Sequence, residues 1–359
     1  MKIPSLHFRN SSVIGLDIGS SSIKAVEILD QGREKGFELK NLGIAPLSPD
    51  AIVQGAFLDS GAIVEGIREA LSRGGITGEN VAVAVAGHSV IVKKVSLAQQ
   101  TRDELEEALQ WEAEQYIPFD VNEVHLDFQI LDTSESEGQM DVLLVAAKKD
   151  LVDDYVQVIS EAGLKAVCID VAGFAVENAF EANYGFGEDE SIALVNIGAQ
   201  VVNINVIQRR VPAFTRDITV GGNQYTEEIQ RALSLEFTEA EKIKLGESEN
   251  PESREVIPQE LDHAVAQVTQ DVVDEIGRSL DFFSATSADS HIERVVLCGG
   301  GAKVPGLAEA FAERTGLAIE KMNPLARMLP QQKFEPAYLE EVTASLGVGV
   351  GLAMRRGGL

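Results

Sequence analysis

The chain has 359 residues, 45% of them hydrophobic, with 30 Lys and Arg against 57 Asp and Glu, a formal net charge of −27. That length exceeds what a single core usually serves, so two lobes are expected. The charge argues against nucleic acid or a bare anionic membrane as partner, so any nucleotide must be held by local amide nests and a metal ion.

Residues 1–10 lack the long apolar core and the small-residue cleavage pattern of a signal peptide, and no apolar run reaches the roughly eighteen residues of a membrane span. A soluble, cytoplasmic protein is expected, held at a membrane only by another chain. Three strands follow, Val13–Leu16, Ile23–Leu29 and Phe37–Ile44, with turns rich in Gly and Ser. Ser60–Arg73 reads as an amphipathic helix stopped by Gly74 and Gly75, and Asn80–Ala86 as a strand buried on both faces.

From Gly87 to Gly163 the pattern changes to that of an inserted β/α module. Its first helix opens at a capping box, Thr101 to Glu104, and is expected to run through Leu105, Leu109, Trp111 and Tyr116 to Pro118. Strands Val124–Leu131 and Met140–Ala147 flank an acidic tip at 132–139, and the helix Leu151–Ala162 ends at Gly163. A strand, Leu164–Asp170, and a helix, Gly173–Asn183, lead out of the module.

The second half starts with a hairpin at Ile192 and a strand, Val211–Val220, that ends in Gly221 and Gly222 and opens a helix through Ile229 and Leu233. A short charged segment, Thr238–Lys244, and a Pro/Ser/Glu-rich loop at 246–258 come next. The helix Leu261–Ser284 carries Leu261, Val265, Val268, Val272, Ile276, Leu280 and Phe283 as a core stripe. Arg294–Cys298 is a strand feeding Gly299, Gly300 and Gly301, Pro305 starts a helix capped by Gly316, and Glu341–Arg355 is a Gly- and Ala-rich helix.

Two of these stretches read alike: Ile14-Gly15-Leu16-Asp17-Ile18-Gly19-Ser20-Ser21-Ser22 and Ala193-Leu194-Val195-Asn196-Ile197-Gly198-Ala199-Gln200, each followed by a second apolar run. Each is read as a hairpin whose turn amides favour an anion. With the glycine turn at 299–301, they predict a nucleotide cleft between two duplicated lobes. Catalytic constellations are absent from the sequence: His7, His88, His125, His263 and His291 have no metal-ligand spacing, and Ser20 to Ser22 have no local base. Cys168 and Cys298 imply no disulfide framework and read as buried small hydrophobes.

These motifs resemble the superfamily of actin, sugar kinases and DnaK-type chaperones. Asp17 to Lys24 is similar to its first phosphate loop, Asn196 to Ala199 to its second, and Leu297 to Leu307 to its adenosine motif. Ile169 to Ala175 and Ser345 to Ala353 sit where its interlobe helices belong, and the inserted module resembles that of FtsA. Within the superfamily, Ile14 to Lys24, Trp111-Glu112-Ala113-Glu114-Gln115-Tyr116-Ile117-Pro118-Phe119 and Thr226 to Ile229 resemble the PilM family of type IV pilus assembly proteins.

The resemblance implies an α/β, actin-like two-lobed fold, ribonuclease H-like and duplicated, with an FtsA-type β/α subdomain inserted. It divides the chain into a first-lobe core at 1–86, the inserted subdomain at 87–163, a connecting strand and helix at 164–190, a second lobe at 191–340, and a C-terminal helix at 341–359 returning to lobe 1. It implies ATP or ADP with Mg as ligands. Gly19, Ser20, Ser21 and Ser22 would line the phosphates, Asp17 would hold the magnesium ion through water, and Lys24 lies on the same hairpin. Gly198, Ala199 and Gln200 would close from the other lobe beside Asn196. Gly221 and Gly222 would pass the ribose, Glu241 and Lys244 would bracket ribose and adenine, and Gly299, Gly300, Gly301 and Ala302 would support the adenosine. A bland i,i+3 ion pair is the competing reading of Glu241 and Lys244, and a solvated edge lysine that of Lys24.

As partners the resemblance implies the N-terminal cytoplasmic peptide of PilN in a groove between the first lobe and the insertion, PilO and PilP through PilN, and the pilus motor ATPases. Homo-oligomers are left open. Two departures bear on chemistry: Asn196 stands where relatives usually carry Asp, and Ala172 where hydrolytic relatives often carry Glu or Gln. Slow hydrolysis at most is expected. The alternatives are a small-molecule kinase, for which Asp170 is the candidate base, and an FtsA-like polymerising division protein, whose usual C-terminal amphipathic membrane helix has no counterpart in Arg355-Arg356-Gly357-Gly358-Leu359.

Overall fold

A computed structural model of the chain describes residues 13–32, 36–131, 138–245, 259–286, 291–330 and 333–355. The N-terminal decapeptide, the 132–137 part of the acidic tip, the 246–258 loop, the Leu261 side chain and residues 356–359 lie outside the described residues.

In the first lobe, Ile14–Ile18 (β1), Ser22–Asp30 (β2) and Phe37–Pro46 (β3) form an antiparallel meander. A small hairpin, Ile52–Val53 (β4) with Ala56–Phe57 (β5), precedes helix α1, Ser60–Gly74, and Asn80–Val85 (β6) then runs parallel to β1. Helix α1 starts where the Asp59 carboxylate accepts from the Ala62 amide and stops where left-handed Gly75 returns its amide to the carbonyls of Leu71 and Ser72. Ile63, Val64, Ile67 and Ala70 form its buried face.

The insertion places Val90–Ala98 (β7), helix α2, Arg102–Ala113, Val124–Leu131 (β8) and Gln139–Lys148 (β9) in a separate sheet of order β7-β9-β8. The capping box at Thr101 and Glu104 forms in both directions. Helix α2 ends at Ala113, short of Pro118, and Trp111 is exposed. Helix α3, Lys149–Glu161, buries Val152, Tyr155, Val158 and Ile159 in the first-lobe core, which Val90 and Ala147 of the inserted sheet also join. Lys165–Val171 (β10) pairs parallel to β6, and α4, Ala172–Asn183, leads to the second lobe.

There Ser191–Ile197 (β11), Val202–Gln208 (β12) and Val211–Ile218 (β13) repeat the antiparallel meander. Helices α5, Gly222–Leu233, α6, Phe237–Leu245, and α7, Gln259–Thr286, cross over to Arg294–Cys298 (β14), which is parallel to β11. Helix α8, Leu307–Thr315, then leads to Ala318–Lys321 (β15), parallel to β14. The second sheet therefore reads β13-β12-β11-β14-β15, and the first reads β3-β2-β1-β6-β10 plus one added edge strand. Strand for strand the two orders and directions match, which establishes the duplication.

The added strand is Met328–Pro330 (β16), which crosses back to pair with β3. The predicted last helix is three pieces: α9, Pro336–Val342, a 3₁₀ turn at Thr343–Leu346, and α10, Gly347–Ala353. Helix α10 crosses α4 with no room for side chains between them, since a Cβ on Gly351 would stand 1.7 Å from the Ala175 carbonyl oxygen. Among the described residues no helix is long and apolar enough to cross a membrane.

The lobes meet on buried polar groups. Asn205 of β12 donates to the Glu177 carboxylate of α4 at 2.9 Å, and Thr215 of β13 donates to the Asn205 side-chain oxygen at 3.3 Å. Nearby, Arg355 pairs with buried Asp170 at 2.6 Å. Burial pushes the Glu177 carboxyl up to about 7 despite the Asn205 bond, from an ordinary 4.5. An acid raised in the folded state adds stability that is complete below its unfolded pKa and disappears as pH climbs through the folded value. Between pH 4.5 and 7 this one group therefore costs roughly 2 kcal/mol as pH rises. Glu177→Gln keeps an acceptor for Asn205 and cannot ionise. Its melting temperature should exceed wild type at pH 8 and match it at pH 5, a difference that parallel thermal melts will register.

Candidate functional site: a cleft between two hairpin turns

The turns at the ends of β1 and β11 face each other across a cleft of about 910 Å³. Of the residues expected to form it, Asp17, Gly19, Ser20, Ser21, Ser22, Lys24, Asn196, Gly198, Ala199, Gln200, Gly222, Glu241, Lys244, Gly299, Gly300 and Gly301 line its wall. Gly221 and Ala302 do not. Gly221 lies beneath the second loop, where a Cβ would come within 2.6 Å of the carbonyl oxygens of Gly198 and Ala199. Ala302 is buried in the second-lobe core.

In the first turn, the Gly19 amide donates to the Ser22 carbonyl at 3.2 Å, while the amides of Ser20 and Ser21 take no protein acceptor among the described residues. Lys24, one strand pair below, is buried and not a solvated edge residue. Its ammonium sits 3.1 Å from the Asp17 carboxylate and 3.5 Å from the Ser22 carbonyl. A buried lysine is tolerated because that partner is there.

The second turn is braced from behind. The amides of Gly222 and Asn223, at the start of α5, donate to the carbonyls of Gly198 and Ala199 at 2.9 and 2.8 Å. Asn196 donates to Asn203 at 2.8 Å, Asn203 donates to Asp217 at 2.8 Å, and Asp217 accepts from the Gly87 amide of the first lobe at 2.5 Å. Burial raises the Asp217 pKa while the Asn203 and Gly87 bonds pull it back. An aspartate at 196 would lose the donor that anchors this chain.

Gly299, with φ +89°, has no alternative residue: a Cβ there would lie 2.3 Å from the Ile197 carbonyl oxygen. Gly300 next to it faces open space on the cleft wall. Buried Cys298 beneath has its thiol pushed up to about 12 by desolvation, an inert group. Cys168 is half-buried rather than buried.

Glu241 and Lys244 pair at 2.6 Å, and Lys244 also donates to the Thr226 hydroxyl at 3.0 Å and the Gly222 carbonyl at 3.3 Å. This pins α6 to the start of α5. Ala172, at the first turn of α4, lines the cleft with a methyl group. Asp170 does not reach the cleft wall and is held by Arg355, so the kinase reading has no base there. Sequence reasoning did not pick out Arg73, Tyr155, Lys303, Tyr338 and Glu341, which also line the cleft. Lys303 closes the glycine turn at 299–301, while Arg73, Tyr155, Tyr338 and Glu341 come from helices α1, α3 and α9 outside any glycine motif, and only the fold brings those four there.

The description of the type IV pilus assembly protein PilM family matches residues 15–357. A solved PilM-PilN type IV pilus biogenesis complex aligns with a TM-score of 0.84 and 29% identity, covering 98% of this chain and 100% of that one. The cell division protein FtsA of Streptococcus pneumoniae serotype 2 (strain D39 / NCTC 7466) is 22% identical over 88% of this chain and 76% of its own. MreB5 of Spiroplasma citri bound to ADP shares the fold at a TM-score of 0.51 and 16% identity, covering 94% of each chain. The fold is thus actin-like, and with the match running from the first hairpin to the last helix the chain belongs to the PilM family of type IV pilus assembly proteins.

Proposed function

We propose that the cleft binds ATP or ADP with magnesium, and that the protein serves as the cytoplasmic adaptor of the type IV pilus assembly platform at the inner membrane. One observation carries the nucleotide reading: two duplicated hairpin turns and a glycine turn converge on one cavity. Its size suits a nucleotide. In a chain of net charge −27, the lining supplies Lys24, Arg73, Lys244 and Lys303 against Asp17, Glu241 and Glu341.

The assignments follow from position. Gly19 to Ser22 offer amides and hydroxyls to the terminal phosphates, Lys24 adds charge, and Gly198 and Ala199 approach from the other lobe. Gly222, Glu241 and Lys244 border the ribose and base, and Gly299 to Gly301 support the adenosine. For magnesium the donor set is one carboxylate, Asp17, with no cluster of three acidic, His or Cys residues among the described residues. That fits a hard ion that keeps its waters and completes its shell with phosphate oxygens. Bound magnesium supplies charge neutralisation to those oxygens.

Phosphoryl transfer depends on a positioned nucleophile and compensated charge. Ala172 offers no hydrogen-bonding side chain to a water, and Asn196 is neutral and tied to Asn203. The nucleotide is therefore a structural or switching ligand. The structural match to a PilM-PilN complex supports PilN as partner, and its cytoplasmic tail is proposed to sit between the first lobe and the inserted sheet. PilO and PilP would be reached through PilN, with the motor ATPases and self-association as further contacts. A tail in a groove tethers this chain to a bilayer without an apolar segment of its own.

Calorimetric titration should show MgATP binding to wild type. Gly300→Val, at a position where an added Cβ meets no atom within 4 Å, should lower that affinity at least about tenfold with an unchanged melting temperature. Turnover should stay below about 10⁻² s⁻¹ in a phosphate-release assay. A labelled PilN N-terminal peptide should bind with different affinity with and without MgATP, because a ligand shifts a conformation only through differential affinity. Equal anisotropy titrations would end the coupling.

A further inference from the structure

Gln200 stands in the second-lobe turn, yet its side chain crosses to the first lobe. Its amide nitrogen donates to the Ile52 carbonyl at 2.8 Å and its amide oxygen accepts from the Gln54 amide at 2.9 Å. Both partners belong to the β4–β5 hairpin. One primary amide thus reads two backbone groups of the opposite lobe, as an added strand does at a sheet edge.

The hairpin is built to be held. Its two-residue turn, Gln54 and Gly55, has φ +51° and +84°, the primed geometry that favours Asn or Gly at its first position. Gln54 is an unfavourable choice there. The bond from Gln200 to its amide stabilises that conformation from outside. On the lobe-1 side, the Leu58 amide closes the hairpin onto the Ala51 carbonyl at 2.9 Å, and the Phe57 ring packs on Tyr155 of α3 at 4.7 Å between centroids. Ile52, Gly55, Tyr155 and Gln200 all line the cleft, while Phe57 does not.

We infer that Gln200 is a clasp that holds the β4–β5 hairpin against the second lobe, and that opening this clasp controls how fast nucleotide leaves the cleft. The inference rests on the nucleotide reading of the cleft and assigns Gln200 to lobe closure rather than to the phosphates. Gln200→Ala removes both bonds. Gln200→Glu keeps the acceptor for the Gln54 amide but cannot donate to Ile52. Phe57→Ala loosens the hairpin from its anchor and removes no side chain that itself lines the cleft.

The experiment is paired. Hydrogen exchange of the 51–58 segment in the nucleotide-free protein reads the clasp, and stopped-flow release of a fluorescent ATP analogue reads its consequence. Gln200→Ala should speed both, release by about tenfold or more, with Gln200→Glu intermediate and Phe57→Ala faster than wild type in both. Unchanged exchange in Gln200→Ala overturns the clasp. Faster release in Gln200→Ala with wild-type release in Phe57→Ala also overturns it, because Gln200 then acts on the nucleotide directly. If wild type fails to bind the analogue, the nucleotide reading falls and this role in release with it, while the exchange result still tells whether the lobes are clasped.

Discussion

The arrangement depends on a half-buried hydrogen-bonded chain that crosses from one lobe to the other: Asn196 to Asn203 to Asp217 to the Gly87 amide. Buried polar groups are costly unless every one finds a partner in good geometry. Here a carboxylate on the second-lobe sheet finds its partner on the first-lobe backbone, so the lobes are stabilised in one mutual register. Apolar surfaces would tolerate sliding, whereas this seam does not.

The two lobes share one framework and differ in what is built on it. The sheets are duplicates in strand order, but their decorations differ. The first lobe carries the inserted sheet and α3, which its core absorbs through Tyr155, Val158 and Ile159. The second lobe carries α5 and α6, locked together by Lys244, Glu241 and Thr226. Gln200 and Asp217 of the second lobe each bond across to the other side, at the β4–β5 hairpin and at the Gly87 amide.

Much of this was legible in the residues. Local signals carried the strands of both meanders, the α1 stop at Gly75 and the capping box at Thr101, since each is encoded within a few positions. The convergence of three turns was legible through their shared position after buried strands. What escaped notice depends on distant partners. Strand β16 is three residues long and exists because β3 offers an open edge. The β4–β5 hairpin is too short to show an alternation. The break at Thr343–Leu346 arises because the Gly299 amide takes the Ala344 carbonyl at 2.7 Å, a bond made across the fold. The solvated-edge reading of Lys24 could compete because its partner Asp17 lies across a strand pair, and Asp170 could serve as the kinase alternative's candidate base because nothing local announced Arg355.

A cleft whose chemistry is muted can still do work through closure. With a methyl at Ala172 and a neutral amide at Asn196, the proposed nucleotide would supply free energy through binding rather than bond cleavage. A ligand that touches both turns stabilises the closed state only by the difference between its affinities for closed and open forms. Protein-made bonds across the cleft, such as those of Gln200, already lean the equilibrium toward closure, so the increment needed from the ligand is smaller. The cost is slower exit, because the same bonds must break before the cavity opens. In the proposed adaptor role, slow exchange would serve the protein better than rapid turnover.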